Sequence, residues 1–334
     1  MNNYITKDDL QDIAKGATFL GSGGGGDTEY DLLATSELIE KNGPVPLLKV
    51  DELKDDDLVV PVGFIGAPLV STEKLPSGKE FFAVLEEVEK YYGRKPTALV
   101  AAEIGGSNAF TAIQAASLTG LKVLDADTLG RAFPRLEMSS GSLFGIKPAP
   151  AFIADSLGNA AKLHAKTPVQ LENFFRALST AMGSSALVAI YIMTGKEAKM
   201  ALVRGTLTQA KNLAKNGATV GKKVASGVIT NIHQEIRDGF LKGTIFISPN
   251  ISIHYQNEYL MVFDGEKAIA TTPDIIALVN SKSKDPLPVE QIKFGLHVDV
   301  LILPSPDIWK TEAGLKLVGP KAFGYNIEYR ELSI

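Results

Sequence analysis

Cysteine is absent from all 334 residues. That absence removes disulfides, thiolate nucleophiles, Cys-based zinc sites and iron–sulfur clusters together. It also matches a reducing, cytoplasmic compartment. Histidine is scarce. The four present, His164, His233, His254 and His297, show neither His-x-His nor His-x-x-x-His spacing, so no metal site built from sequence neighbours is supported. Long apolar runs are missing: the densest, 186–193, is far short of the roughly 18 residues that span a bilayer. The opening Met-Asn-Asn-Tyr-Ile-Thr lacks the apolar core of a signal peptide. There is no basic run, and the formal net charge of -4 argues against a nucleic-acid or anionic-membrane surface. A Gly-x-Ser-x-Gly elbow is also lacking.

Glycine, by contrast, is concentrated. Five of the six positions from Gly21 to Gly26 are glycine, interrupted only by Ser22. Such a loop costs backbone entropy that an ordinary turn does not require. Gly21, Gly23 and Gly26 satisfy Gly-x-Gly-x-x-Gly, but a dinucleotide fingerprint needs a strand before the loop. Here a helix is expected over 6–19. A second helix, over 27–41, carries Asp27, Glu29 and Asp31, which would repel a pyrophosphate. No Gly-Lys-Ser/Thr closes a Walker loop. No nucleotide is therefore expected. The backbone N–H groups of Gly23, Gly24, Gly25 and Gly26, with Asp27, instead suit a neutral carbonyl-bearing ligand or a developing oxyanion. The bland alternative is a loop that only permits close helix packing.

Beyond the loop, strands are expected over 45–50, 58–64, 97–102 and 122–124, with helices over 81–92 and 108–118. This alternation predicts an α/β layer with a largely parallel sheet. After about residue 165 the pattern changes. Thr167-Pro168 caps a helix, and 186–193 reads as strand or buried helix. A helix is expected over 206–216, strand-like alternation over 228–263, a short helix over 273–280 and a strand over 297–303. The chain thus divides into an α/β domain, 1–166, and an α+β domain rich in antiparallel strands, 167–334.

Three predicted strand ends carry chemistry, and ligands of open α/β sheets gather at such ends. Glu103, followed by Ile-Gly-Gly-Ser-Asn108, suits a base or a metal ligand, with Asn108 orienting a polar substrate; otherwise Ser107 or Asn108 caps a helix. Asp125 and Asp127 can share a cation or a proton with Arg131 nearby; otherwise Asp127 caps a helix and pairs with Arg131. Gly66, in Ile65-Gly-Ala-Pro68, suits a wall that a ligand touches, and Glu73-Lys74 lines the same mouth or the surface. His254-Tyr-Gln-Asn-Glu-Tyr259 is unusually polar for a strand, facing a cleft or an exposed sheet face.

Taken in order, Leu20–Asp27, Val59–Val62, Gly66-Ala-Pro68, Glu73–Gly78, Glu103–Gly106 with Asn108, Asp125–Asp127, Gly130–Pro134, Gln256–Glu258, Thr272-Pro-Asp274 and Leu317–Tyr325 resemble the S-methyl-thiohydantoin desulfurase-like family. The resemblance spans nearly the whole chain. It implies a two-domain protein encoded near hydantoinase and oxoprolinase genes. One branch of the family exchanges a methylthio group on a thiohydantoin for oxygen. On that expectation Glu103, Asp125 or Asp127 activates water, directly or through a divalent metal. Gly23–Gly26 holds the developing charge, while Asn108 and Arg131 fix the ring's imide edge. The substrate is a small molecule, and a homo-oligomer is expected. A reading of a different class is a non-catalytic binding protein or partner subunit of a hydantoinase-type enzyme.

Overall fold

Asp9 starts the first helix. Its carboxylate accepts from the Thr6 N–H at 2.8 Å and the Thr6 hydroxyl at 2.9 Å, satisfying donors that a helix start leaves unpaired. Leu10, Ile13, Ala17 and Leu20 then bury one face. The computed structural model describes residues 3–66, 70, 76–237 and 239–332. Within them the chain runs β1 (Tyr4–Ile5), α1 (Lys7–Gly21), α2 (Glu29–Asn42), β2 (Val45–Leu48), β3 (Leu58–Gly66), α3 (Lys79–Tyr92), β4 (Ala98–Ala101), α4 (Asn108–Thr119) and β5 (Lys122–Asp127). It continues α5 (Ser140–Leu143), β6 (Ala151–Ala154), β7 (Ala160–Leu163), α6 (Pro168–Ala181), β8 (Ser185–Ala189), β9 (Met193–Thr194), α7 (Gly195–Ala201), β10 (Val203–Arg204) and α8 (Thr206–Val220).

These strands form one ten-stranded sheet in the order β1-β2-β5-β4-β3-β8-β6-β7, with β10 on β5 and β9 on β3. The central pairs β2–β5, β5–β4 and β4–β3 are parallel, and β8, β6 and β7 extend the sheet antiparallel. Central strands buried on both faces read as continuous apolar runs, as Leu58–Val62 does. One face packs α1, α3, α4 and α8, and the other packs α6 and α7.

The second sheet is antiparallel throughout. It comprises β11 (Lys222–Arg237), β12 (Phe240–Ile247), β13 (Ile251–Gln256), β14 (Glu258–Asp264), β15 (Lys267–Thr271), β16 (Ile275–Asn280) and β17 (His297–Leu303), in the order β15-β14-β13-β12-β11-β17-β16. The short helix α9 (Glu312–Val318) follows. Strand β11 is long enough to pair with β17 along its first half and with β12 along its second. The segment 273–280, expected to be a helix, is instead β16. Its five apolar residues are all buried, and it pairs with β17 from Ile275↔Leu303 to Asn280↔Val298. A short apolar run bears no period that separates strand from helix.

The protein is thus an α/β layer joined to an antiparallel β layer. The change of sheet falls after α8, because β8, β9 and β10 complete the first sheet. Among the described residues no helix is long and apolar enough to cross a membrane.

Candidate functional site

The glycine loop is shorter than its sequence implies, because α1 continues through Gly21. Ser22 ends the helix in the left-handed region at φ 48, its N–H donating to the Phe19 carbonyl at 3.1 Å. Its hydroxyl donates to the Ile276 carbonyl at 2.9 Å and accepts from the Ile276 N–H at 3.1 Å. The loop's carbonyls are tied outward: Ser22 accepts from the Tyr259 N–H at 2.6 Å, Gly23 from Val289 at 2.8 Å and Gly25 from Ser107 at 2.8 Å. Gly25 and Gly26 adopt φ 80 and 81. Among the described residues their N–H groups find no acceptor. The loop therefore offers the unpaired backbone donors of an anion cradle.

A cavity of about 230 Å³ opens beside it, lined by Gly24–Gly26, Gly66, Glu103, Asn108 and Glu258 among others. It lies where the ends of β3 and β4 meet the β13–β14 turn and the Val289-Glu290 segment. This falls just below the usual ligand-pocket range of about 300–1,000 Å³ and suits a single ring better than a nucleotide.

Glu103 follows β4 and faces the cavity. Its carboxylate accepts from Asn108 Nδ2 at 3.2 Å and from the Phe133 N–H at 3.4 Å. Asn108 is itself oriented by the Phe64 N–H, which donates to its Oδ1 at 2.8 Å. Burial pushes the Glu103 carboxyl up to about 7, although these bonds and the Arg131 charge oppose the rise. Glu258, at the start of β14, is buried with its Oε2 unpartnered. Burial and the neighbouring Glu103 raise it well above the ordinary carboxylate range. Asp31 is raised to about 6 by burial. Perturbed carboxyls gathered in one cleft make it a candidate functional site.

Arg131 does not line the cavity. It is fully buried, with Nη1 donating to the Pro273 and Asp274 carbonyls at 3.1 and 2.9 Å and its guanidinium stacked on Phe133. It acts on the site through charge: burial lowers it to about 10, while Glu258, Asp274 and Glu103 support its positive form. Asp125 and Asp127 also lie outside the cavity lining. Asp125 accepts from the Thr208 N–H at 3.1 Å and the Thr208 hydroxyl at 2.6 Å, holding the start of α8. Asp127 accepts from the N–H groups of Ile104, Leu129 and Gly130 and holds two turns together. No helix begins at Asp127. Gly23 packs against the Tyr259 ring rather than the cavity. Asp27 lines the mouth, with one oxygen accepting from the Glu29 N–H and the other from Gln291. Ala67, Pro68, Glu73 and Lys74 lie outside the described residues.

Glu258, Asp31 and Glu290 were missed as site residues. The polar run His254–Tyr259 held the signal, since its Asn257 and Glu258 enter the cavity. Arg176 also lines the cavity, bound to Glu172 at 2.8 and 2.6 Å and stacked on Phe240. Among the described residues no group of three or more His, Cys, Asp or Glu is placed to hold a metal ion. A divalent metal, one of the two routes to water activation left open by the sequence, finds no such group among these residues.

Fold and site together define a two-layer protein whose small, carboxylate-rich cavity is walled by a glycine loop. The chain belongs to the S-Me-THD-like family: the model of its N-terminal domain matches residues 8–165 and that of its C-terminal domain residues 166–332. A crystal structure of a protein from Chromobacterium violaceum is similar over 98% of this chain and 99% of that one, with a TM-score of 0.80 at 24% identity. That likeness concerns the fold. No curated protein matches the chain.

Proposed function

We propose that this chain is a hydrolase of small cyclic amide- or imide-like rings, S-methyl-thiohydantoins among them. The family supports a thiohydantoin-related role. The carrying observation is Glu103, a carboxyl that titrates near neutrality at the wall of a ring-sized cavity. A group with that pKa is an effective base at cellular pH. Glu103 takes a proton from water as the water attacks the ring carbon. The N–H groups of Gly25 and Gly26 stabilise the charge that develops on the ring. Asn108 keeps Glu103 in place. Asp125 and Asp127 serve the scaffold, and Arg131 supplies a buried countercharge.

The test is methanethiol release from an S-methyl-thiohydantoin by the purified protein, alone and as Glu103→Gln. Turnover by the wild type and a loss of roughly 100-fold or more in the variant are expected. Absence of turnover across cyclic amides, imides and thioimidates would sink the catalytic reading. Joined to co-purification of a hydantoinase-type protein, it would install that of a binding subunit.

A further inference from the structure

Glu258 is buried, lines the same cavity as Glu103, and leaves Oε2 without a partner. It begins β14 directly after Asn257, whose backbone is left-handed at φ 59. Gly24 makes room for it, because a methyl group there would overlap Glu258 Oε1. The charged groups around it come from three other segments: Glu103 after β4, Arg131 after β5 and Glu290 before β17. Arg131 is the lone cation of this set and is shared with Asp274. One guanidinium cannot neutralise several carboxylates in a desolvated pocket, so Glu103 and Glu258 together retain a proton.

Their partners decide where it resides. Glu103 receives only donors, from Asn108 and Phe133, which favour a carboxylate. Among the described residues Glu258 Oε2 receives none, and the only donor at that carboxyl is the residue's own backbone N–H, which leaves the neutral acid favoured. We infer that Glu258 is the proton donor of the site, giving its proton to the departing sulfur while Glu103 acts as base. This rests on the ring-hydrolysis reading above and assigns its second catalytic residue.

The protons balance. Water oxygen bonds to the ring carbon, one water proton passes to Glu103, and an electron pair moves to the ring nitrogen. That pair returns to re-form C=N, the C–S bond breaks, and the thiolate takes the proton of Glu258. The resulting ring hydroxyl yields its proton to Glu258, and the ring nitrogen takes the proton held by Glu103. The products are a ring carbonyl with an N–H and methanethiol, with both carboxyls restored.

A donor to the leaving group matters only when that group leaves poorly. Two substrates of one ring, S-methyl and S-(4-nitrophenyl), separate the roles. Glu258→Gln is expected to lose roughly 100-fold on the S-methyl ring and less than about tenfold on the S-(4-nitrophenyl) ring. Glu103→Gln is expected to lose on both. Glu258→Asp, which keeps the acid but withdraws it, should show the same selectivity with a smaller loss, and it carries the comparison if the glutamine variant does not fold. An equal loss on both rings, or none on the S-methyl ring, overturns the assignment while leaving the ring-hydrolysis reading intact. Failure of the wild type on both rings overturns that reading, and the assignment with it.

Discussion

A methyl group at Gly24 and one at Gly25 would do different damage. Gly24 is not left-handed, and its added carbon meets the Glu258 side chain. Gly25 is left-handed at φ 80, and its added carbon meets the Gly105 backbone. Gly24→Ala should therefore displace the Glu258 carboxyl and depress turnover with little change in melting temperature. Gly25→Ala should lower stability by about 2 kcal/mol through backbone strain. Thermal denaturation and turnover, measured together on both variants, check this. Glu103 carries a pH signature as well. Its folded-state carboxyl is raised to about 7, so the folded protein holds a proton that the unfolded chain has already lost above about pH 4.3. Its contribution to stability therefore falls as pH rises from about 4 to 7, and the penalty is complete above that. Glu103→Gln should flatten this decline, by up to about 3 kcal/mol at pH 8 relative to pH 4. Melting curves across that range would test it. A variant whose decline matches the wild type would show that other groups, Asp31 among them, carry the dependence.

The end of β5 shows what spacing reveals and what it conceals. Asp125 and Asp127 read as a pair because alternate strand residues share a face. The pairing with β4 slips between Val123 and Asp127: Leu99 pairs with Val123, but Ala101 pairs with Asp127. An irregularity of this kind re-aims side chains, and it leaves Asp125 on α8 and Asp127 on the turns. Asp125→Ala should lower stability by about 1–2 kcal/mol, the cost of losing a helix-start acceptor. Turnover of the folded variant should be unchanged, which steady-state kinetics at a temperature well below melting would verify. Most elements were legible because their signals are local: the Thr6 start of α1, the apolar run of β3, the Thr167-Pro168 start of α6. Strand β16 was not, since Ile275–Asn280 gains its strand character only by pairing with β17. Glu258 was hidden for the same reason. Its position beside Gly24 depends on Tyr259 bonding to Ser22, a contact between residues 237 apart in sequence.

At the scale of the molecule, the two family models divide the chain at 165/166, yet the first sheet ignores that division. Strands β8, β9 and β10 lie in the second segment and pair with β3, β6 and β5 of the first. The core shows the same sharing. Ile275, Ala277, Leu301 and Leu303 of the second sheet join one apolar cluster with Leu10, Ala17, Val60 and Ala101 of the first layer. Helices α1 and α8 pack so closely that Gly16 has no space for a methyl group against the Ala210 carbonyl. The cavity itself needs Glu103 from one segment and Glu258 from the other. Neither segment can bury its apolar faces or pair its sheet edge alone, and an interior strand such as β3, left with one edge bare beside β4, invites aggregation. Fragments 1–165 and 166–334, produced separately, should therefore show no cooperative thermal transition. Their co-expression should restore one transition and one soluble complex. A sharp melting transition in the isolated second fragment would show instead that β8–β10 contribute little to the fold, and that the cavity forms by docking two finished units.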